Sequence, residues 1–214
     1  SSLSEPALVD VPVAHQFDDP EQQRQSAELG MWTFLATEVL FFGGLFTAYT
    51  LYRTTYPADF AAASRHLSLP WGTANTAILI LSSLTMALAV YSAGIGSRKA
   101  LVRFLLATVV LGSVFLGIKA MEYSHHFHEG LFPSSGFSFE GEAPKGARLF
   151  YTLYFSMTGV HALHMVIGIG LLLALAAIRP RNPSSIEMAG LYWHFVDVVW
   201  IFLFPLLYLL GRHG

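Results

Sequence analysis

The chain contains no cysteine, which rules out a disulfide frame, a thiol nucleophile and cysteine-ligated zinc or iron–sulfur centres. Charge is scarce as well. Only 12% of the 214 residues are Asp, Glu, Lys or Arg, against about 25% in an ordinary soluble domain. A net charge of −2 without any long basic run gives no reason to expect a nucleic-acid partner. A phosphate-cradling glycine loop and a Gly-x-Ser-x-Gly elbow are both missing. There is no sequence repeat and no low-complexity tract. Ser1 to Gln25 is polar without an apolar core, so no cleavable signal peptide is expected and the first apolar helix would direct insertion itself.

What fills the chain is hydrophobic side chain, 54% of it. Crossing a bilayer takes about 20 mostly apolar residues. Five stretches meet that length, about 29–53, 72–94, 100–124, 149–178 and 188–211. These features predict an all-α integral membrane protein, a bundle of five transmembrane helices forming one domain over residues 29–211. A polar segment (1–28) precedes it and a short tail (212–214) follows it. Pro205 lies inside the last stretch, where neighbouring helices can satisfy the carbonyl it frees. Two connections are short and basic, Ile95 to Lys99 and Arg179 to Ser185; those from Thr54 to Trp71 and His125 to Arg148 are longer. Five spans set both short basic loops on the side of the N-terminus, which the positive-inside rule assigns to the cytoplasm.

Against this apolar background a few charges stand out. A charge at mid-bilayer costs about 2.5–3.5 kcal/mol on insertion scales, and the residues that bear one usually face protein or water. Fifteen or so apolar residues at roughly −0.3 to −0.6 kcal/mol each outweigh one such carboxylate, so the helices insert and the charges need a reason. Glu38 sits near the centre of the first stretch, ahead of Gly43 and Gly44. It reads either as a protonatable carboxyl beside a proton path or as a carboxyl hydrogen-bonded to a neighbouring helix. Lys119 and Glu122, three apart, share a helical face and can pair. Their place near a helix end predicts an interfacial pair that reaches the headgroups.

His161 and His164 are three apart on the fourth stretch, and His194 and Asp197 repeat the spacing on the fifth. Two transverse haems would need two histidines per helix about two turns or more apart, and an oxygen-reducing haem–copper centre needs more histidines than these spans hold. A membrane zinc hydrolase would take His161, His164 and His194 as ligands and Glu38 as base. The plainer reading is an intramembrane polar network in which Asp197 accepts from a histidine on the fourth helix. His125, His126, His128 and Glu129 cluster just past the third stretch, a weakly preorganised candidate for metal. At the level of the residues these metal readings stay open beside the plainer one.

Five runs carry a family resemblance. They are Trp32-Thr-Phe-Leu-Ala-Thr-Glu-Val-Leu-Phe-Phe42, Asn75-Thr-Ala-Ile-Leu-Ile-Leu-Ser-Ser83, Gly117-Ile-Lys-Ala-Met-Glu-Tyr123, Gly159-Val-His-Ala-Leu-His164 and Tyr192-Trp-His-Phe-Val-Asp-Val-Val-Trp200. In this order they resemble subunit III of haem–copper terminal oxidases, the cytochrome c oxidase subunit 3 family, over nearly all of residues 29–211. The resemblance implies the short five-helix bacterial form, lacking the first two of the usual seven helices. In the longer form those two helices wall a lipid-holding cleft, so phospholipid binding is expected here without assignable residues. Glu38 aligns with the family's buried glutamate. The implied role is a non-catalytic subunit packed on subunit I of a proton-pumping oxidase that carries electrons from cytochrome c to oxygen. Haems and copper would reside in partner subunits. The subunit would sustain proton uptake and active-site lifetime, in the bacterial inner membrane and within reach of a respiratory supercomplex. Quinol oxidases and some nitric-oxide-reductase clusters carry a similar subunit, so the electron donor is left open.

Overall fold

In a computed structural model, residues 17–133, 137–139, 144–178 and 183–210 are described. They form six α-helices: α1 (Pro20–Thr55), α2 (Pro57–His66), α3 (Leu69–Gly94), α4 (Arg98–His128), α5 (Lys145–Ile178) and α6 (Pro183–Phe204). A π-helical turn, Pro205–Leu209, follows α6. Five helices among the described residues are long and apolar enough to cross a membrane: α1, α3, α4, α5, and α6 with its π turn.

Helix α1 begins nine residues before the start expected from hydropathy, so residues 20–28 of the polar segment are helical. The cause is local. Asp19 accepts the amide of Gln22 at 2.7 Å, Pro20 sits at the first helical position, and Glu21 lies in the first turn. At 36 residues α1 is about 54 Å long, longer than a bilayer core needs, and its first turns carry the exposed Arg24–Glu21 and Arg24–Glu28 pairs. Residues 1–16 of the N-terminal segment, the basic loop residues 179–182 and the tail 212–214 lie outside the described residues.

Helix α2 corrects the reading of 54–71 as plain connection. Pro57 starts it, an Ala-rich run continues it, and Phe60, Ala63 and Ser64 turn inward. Phe60 meets the rings of Tyr49 and Phe150 edge-on, and the Asp59 carboxylate accepts the Gly146 amide at 3.0 Å in the first turn of α5.

Helices α3 and α4 form a hairpin. Their turn needs a left-handed residue, and Gly96 supplies it with φ +70°. Ser97 then donates its amide to the Ser92 carbonyl at 2.9 Å, closing the end of α3. Helix α3 packs chiefly on α4 and α6. The centre of the bundle is Trp193 of α6, fully buried and held in a notch where α4 and α5 present glycines. A Cβ at Gly112 would stand 2.8 Å from the indole, and one at Gly168 3.0 Å. The indole N–H is satisfied by Ser82 of α3 at 2.9 Å. Helix α1 rides outside, touching the rest along a stripe of seven-residue spacing: Leu35, Phe42 and Tyr49.

Pro205 has no amide to give, so α6 loosens there into the π turn. Its carbonyls find donors on distant helices. Tyr49 donates to Leu206 O at 2.9 Å, Ser64 to Leu207 O at 2.8 Å and Arg53 to Leu210 O at 2.8 Å. These bonds from α1 and α2 fall on carbonyls after Pro205, and none of them reaches the Ile201 carbonyl that the proline itself frees.

Candidate functional site

Glu38 stands on the inner edge of α1 between Leu35 and Phe42, and it faces His164 of α5. Glu38 Oε2 lies 3.1 Å from His164 Nε2. The other ring nitrogen, Nδ1, is 2.9 Å from the Val160 carbonyl; a carbonyl only accepts, so Nδ1 carries a hydrogen. The contact at Nε2 then needs one further proton, held by imidazole or carboxyl. The pair thus joins α1 to α5 through one hydrogen bond. Tyr192 donates to the His164 carbonyl at 2.9 Å, and the rings of Phe42 and Tyr192 flank the imidazole. The pair keeps a little exposure, 18% for the glutamate and 14% for the histidine side chain, so it lies at the rim of the bundle.

Lys119 and Glu122 do pair, at 2.9 Å, but the pair is turned into the bundle and not outward as an interfacial pair would be. Helix α4 runs on to His128, so the pair is not at its end, and rings from α5 and the π turn cover it. Both residues are buried. Lys119 Nζ donates to Glu122 Oε2, to Tyr154 at 2.9 Å and to Tyr208 at 3.1 Å, while Tyr208 donates to Glu122 Oε1 at 2.6 Å. Three ammonium protons meet three acceptors. The rings of Tyr154 and Trp200 lie 4.9 and 5.3 Å from the ammonium. This closed network ties α4, α5 and the chain's last turn together.

The histidines part company. His161 is fully buried between Phe115 and Trp200, and neither ring nitrogen has a hydrogen-bond partner among the described residues. His194 of α6 joins Ser83 of α3 through Nδ1 at 2.8 Å. Asp197 accepts from no histidine: its carboxyl oxygens are buried and unpartnered among the described residues, which overturns the expected bond to the fourth span. His164 is taken by Glu38 and His161 faces aromatic rings, so none was left for it. In the last turn of α4, which takes in three of the clustered residues, His125 pairs with Glu129 at 3.2 Å while His126 turns inward against Tyr151 and Tyr154. Among the described residues no three His, Asp or Glu side chains come together as a metal site requires. The triad of a zinc hydrolase is thus not assembled. The hydroxyls of Tyr154, Tyr208 and Ser83 went unnoticed in the sequence, where aromatic and small polar residues in apolar helices give no signal of their partners.

Five apolar spans around buried tryptophans, with polar pairs between helices and no converging ligand set among the described residues, define a multi-pass helical membrane protein. The chain belongs to the cytochrome c oxidase subunit III family, whose family model matches residues 15–212. It is similar to the quinol oxidase subunit 3 of Bacillus spizizenii, 34% identical across 87% of this chain and 88% of that one. The cytochrome bo(3) ubiquinol oxidase subunit 3 of Pseudomonas aeruginosa is 29% identical over 93% of this chain and 92% of its own. The cytochrome c oxidase subunit 3 of Alkalihalophilus pseudofirmus is 32% identical over 87% of each. The chain is accordingly an integral membrane protein and subunit III of a multi-subunit haem–copper oxidase, a respiratory oxidoreductase.

Proposed function

We propose that this chain is the part of the oxidase that holds no redox centre, packs against subunit I and sustains proton uptake and the working life of the enzyme. The haems and copper belong to its partners. The observation that carries this reading is the Glu38–His164 pair, a carboxyl and an imidazole joined between two helices at the bundle rim. Phospholipid covers the exposed apolar outside of α1 around Leu29, Leu40 and Leu51. The chain lies in the bacterial inner membrane with the start of α1 and the α3–α4 turn in the cytoplasm, a reading supported by Arg98, Lys99 and Arg103 at that end. In the complete oxidase, Glu38→Gln keeps the shape and removes the acid. Proton uptake at alkaline pH is expected to slow and inactivation during turnover to quicken. Wild-type activity, pumping and inactivation rate together would make Glu38 a structural residue only.

The donor in this reading is cytochrome c. A quinol-fed complex is the second reading, favoured by the names of the Bacillus and Pseudomonas relatives. The subunits that co-purify decide between them: a subunit II with a dicopper site speaks for cytochrome c, and one without it for quinol.

A further inference from the structure

On the outside of the bundle α3 and α6 run antiparallel and leave a groove between them. Two hollows make it up, of about 330 and 410 Å³; Ala87 and His194 line both, and Glu28 and Trp32 of α1 wall the second. The groove reaches from Thr76 to Val90 on α3 and from Glu187 to Ile201 on α6. At the helical rise that is about 21 Å on each, most of a bilayer core of about 30 Å. Its walls are exposed apolar residues, among them Ile80, Leu84, Val198 and Ile201, recurring at helical spacing on both sides.

The floor is different. Asp197 lines the deeper hollow, is 4% exposed, and has no hydrogen-bond partner for either carboxyl oxygen among the described residues. Ser83 is the one donor beside it, and the single proton of that hydroxyl is contested by His194 Nδ1 at 2.8 Å. A buried carboxyl without a donor of its own is costly in any low-dielectric surrounding. Ser83, His194 and Asp197 all sit near the middle of their spans, so a phospholipid headgroup would have to leave its interface by roughly 15 Å to reach them. A side chain on another membrane-spanning helix is already at that depth.

We propose that the α3–α6 groove seats a transmembrane helix of another oxidase subunit, which brings a hydroxyl, amide or ammonium donor at mid-span to Asp197. The apolar walls supply the packing and the carboxyl fixes rotation and depth, since a helix turned away would leave both polar groups unmet. This rests on the chain's place in a multi-subunit oxidase. It adds which face makes the contact and the chemistry the partner helix must carry.

The test uses the complete oxidase in its native membrane. A photo-crosslinking phenylalanine analogue is placed at Ile80 and, separately, at Val198, with Ile167 of α5 as a position outside the groove. After irradiation and mild purification, both groove positions are expected to give adducts to one and the same transmembrane helix of another subunit, and Ile167 none to that helix. Adducts to lipid or an isoprenoid quinone alone, in a complex that still co-purifies, overturn this inference and leave the subunit assignment intact. Failure of the wild-type chain to co-purify with any subunit sinks both. Asp197→Leu supplies a second measure. Within the chain it removes at most a contact with Ser83, whose hydroxyl keeps His194 Nδ1 as partner, so the amount of chain in the membrane should hold. Recovery with the complex should fall about threefold to thirtyfold, the worth of one interhelical polar contact. Unchanged recovery refutes the proposed donor contact.

Discussion

Replacing Lys119 by methionine removes the cation that Glu122 meets at 2.9 Å inside the bundle. Breaking one side of a buried pair costs about 3–5 kcal/mol, because the surviving charge is left without compensation. Glu122→Leu, which strands the ammonium instead, falls in the same range. The double variant Lys119→Met/Glu122→Leu leaves no charge at all. What it strands are the hydroxyls of Tyr154 and Tyr208, both held around the same ammonium and near enough to bond each other. One polar group then goes unmatched, at about 1–3 kcal/mol. The double variant should therefore lose less stability than either single variant, far from the sum of the two. Denaturant unfolding of the purified chain in detergent, followed by tryptophan fluorescence, measures all four proteins of the cycle. Additive losses, or a Lys119→Met variant as stable as wild type, would refute the closed network as the tie between α4, α5 and the π turn.

Other outcomes follow from the packing. Gly112→Ala puts a methyl 2.8 Å from an indole wedged on both sides and should cost about 1–3 kcal/mol. Gly170→Ala meets nothing within 4 Å and should be neutral or stabilise by up to about 1 kcal/mol; the same unfolding assay reads both. Tyr49→Phe leaves the Leu206 carbonyl without its 2.9 Å donor. The expected loss is about 1 kcal/mol, with faster amide exchange confined to the π turn as its local signature.

Much of this architecture is legible in the sequence because hydropathy reports length and composition, which decide whether a helix crosses a membrane. The short α3–α4 turn with its glycine is equally plain. Orientation about the helix axis is another matter. Lys119 and Glu122 read as interfacial because they stood near the end of an apolar run, yet α4 continues for more than a turn in polar residues that hydropathy does not count as span. Glu38 and His164 are 126 residues apart, and no local pattern couples them. Asp197 and the histidines of the fourth span, His161 and His164, invited pairing by type. Which of them face each other depends on the rotation of two helices, set by Trp193 in its glycine notch. Helix α2 escaped notice because ten residues with three buried positions make too weak an amphipathic pattern.

The clasp at the chain's last turn has a consequence in time. Tyr49 and Arg53 bond carbonyls 157 residues further along. At about 5–20 residues per second of synthesis, those partners emerge roughly 8–30 s after their donors. Throughout that interval α1 stands in the bilayer with its stripe uncovered and its donors unmatched. It is built to wait: only 11% of its apolar window is buried even in the finished bundle, the least of the five spans, so little of it depends on neighbours. Assembly of this protein accordingly ends where its two distant parts meet, and a chain halted short of Leu206 would sit in the membrane inserted but unlatched, recognisable to a protease by its open seam.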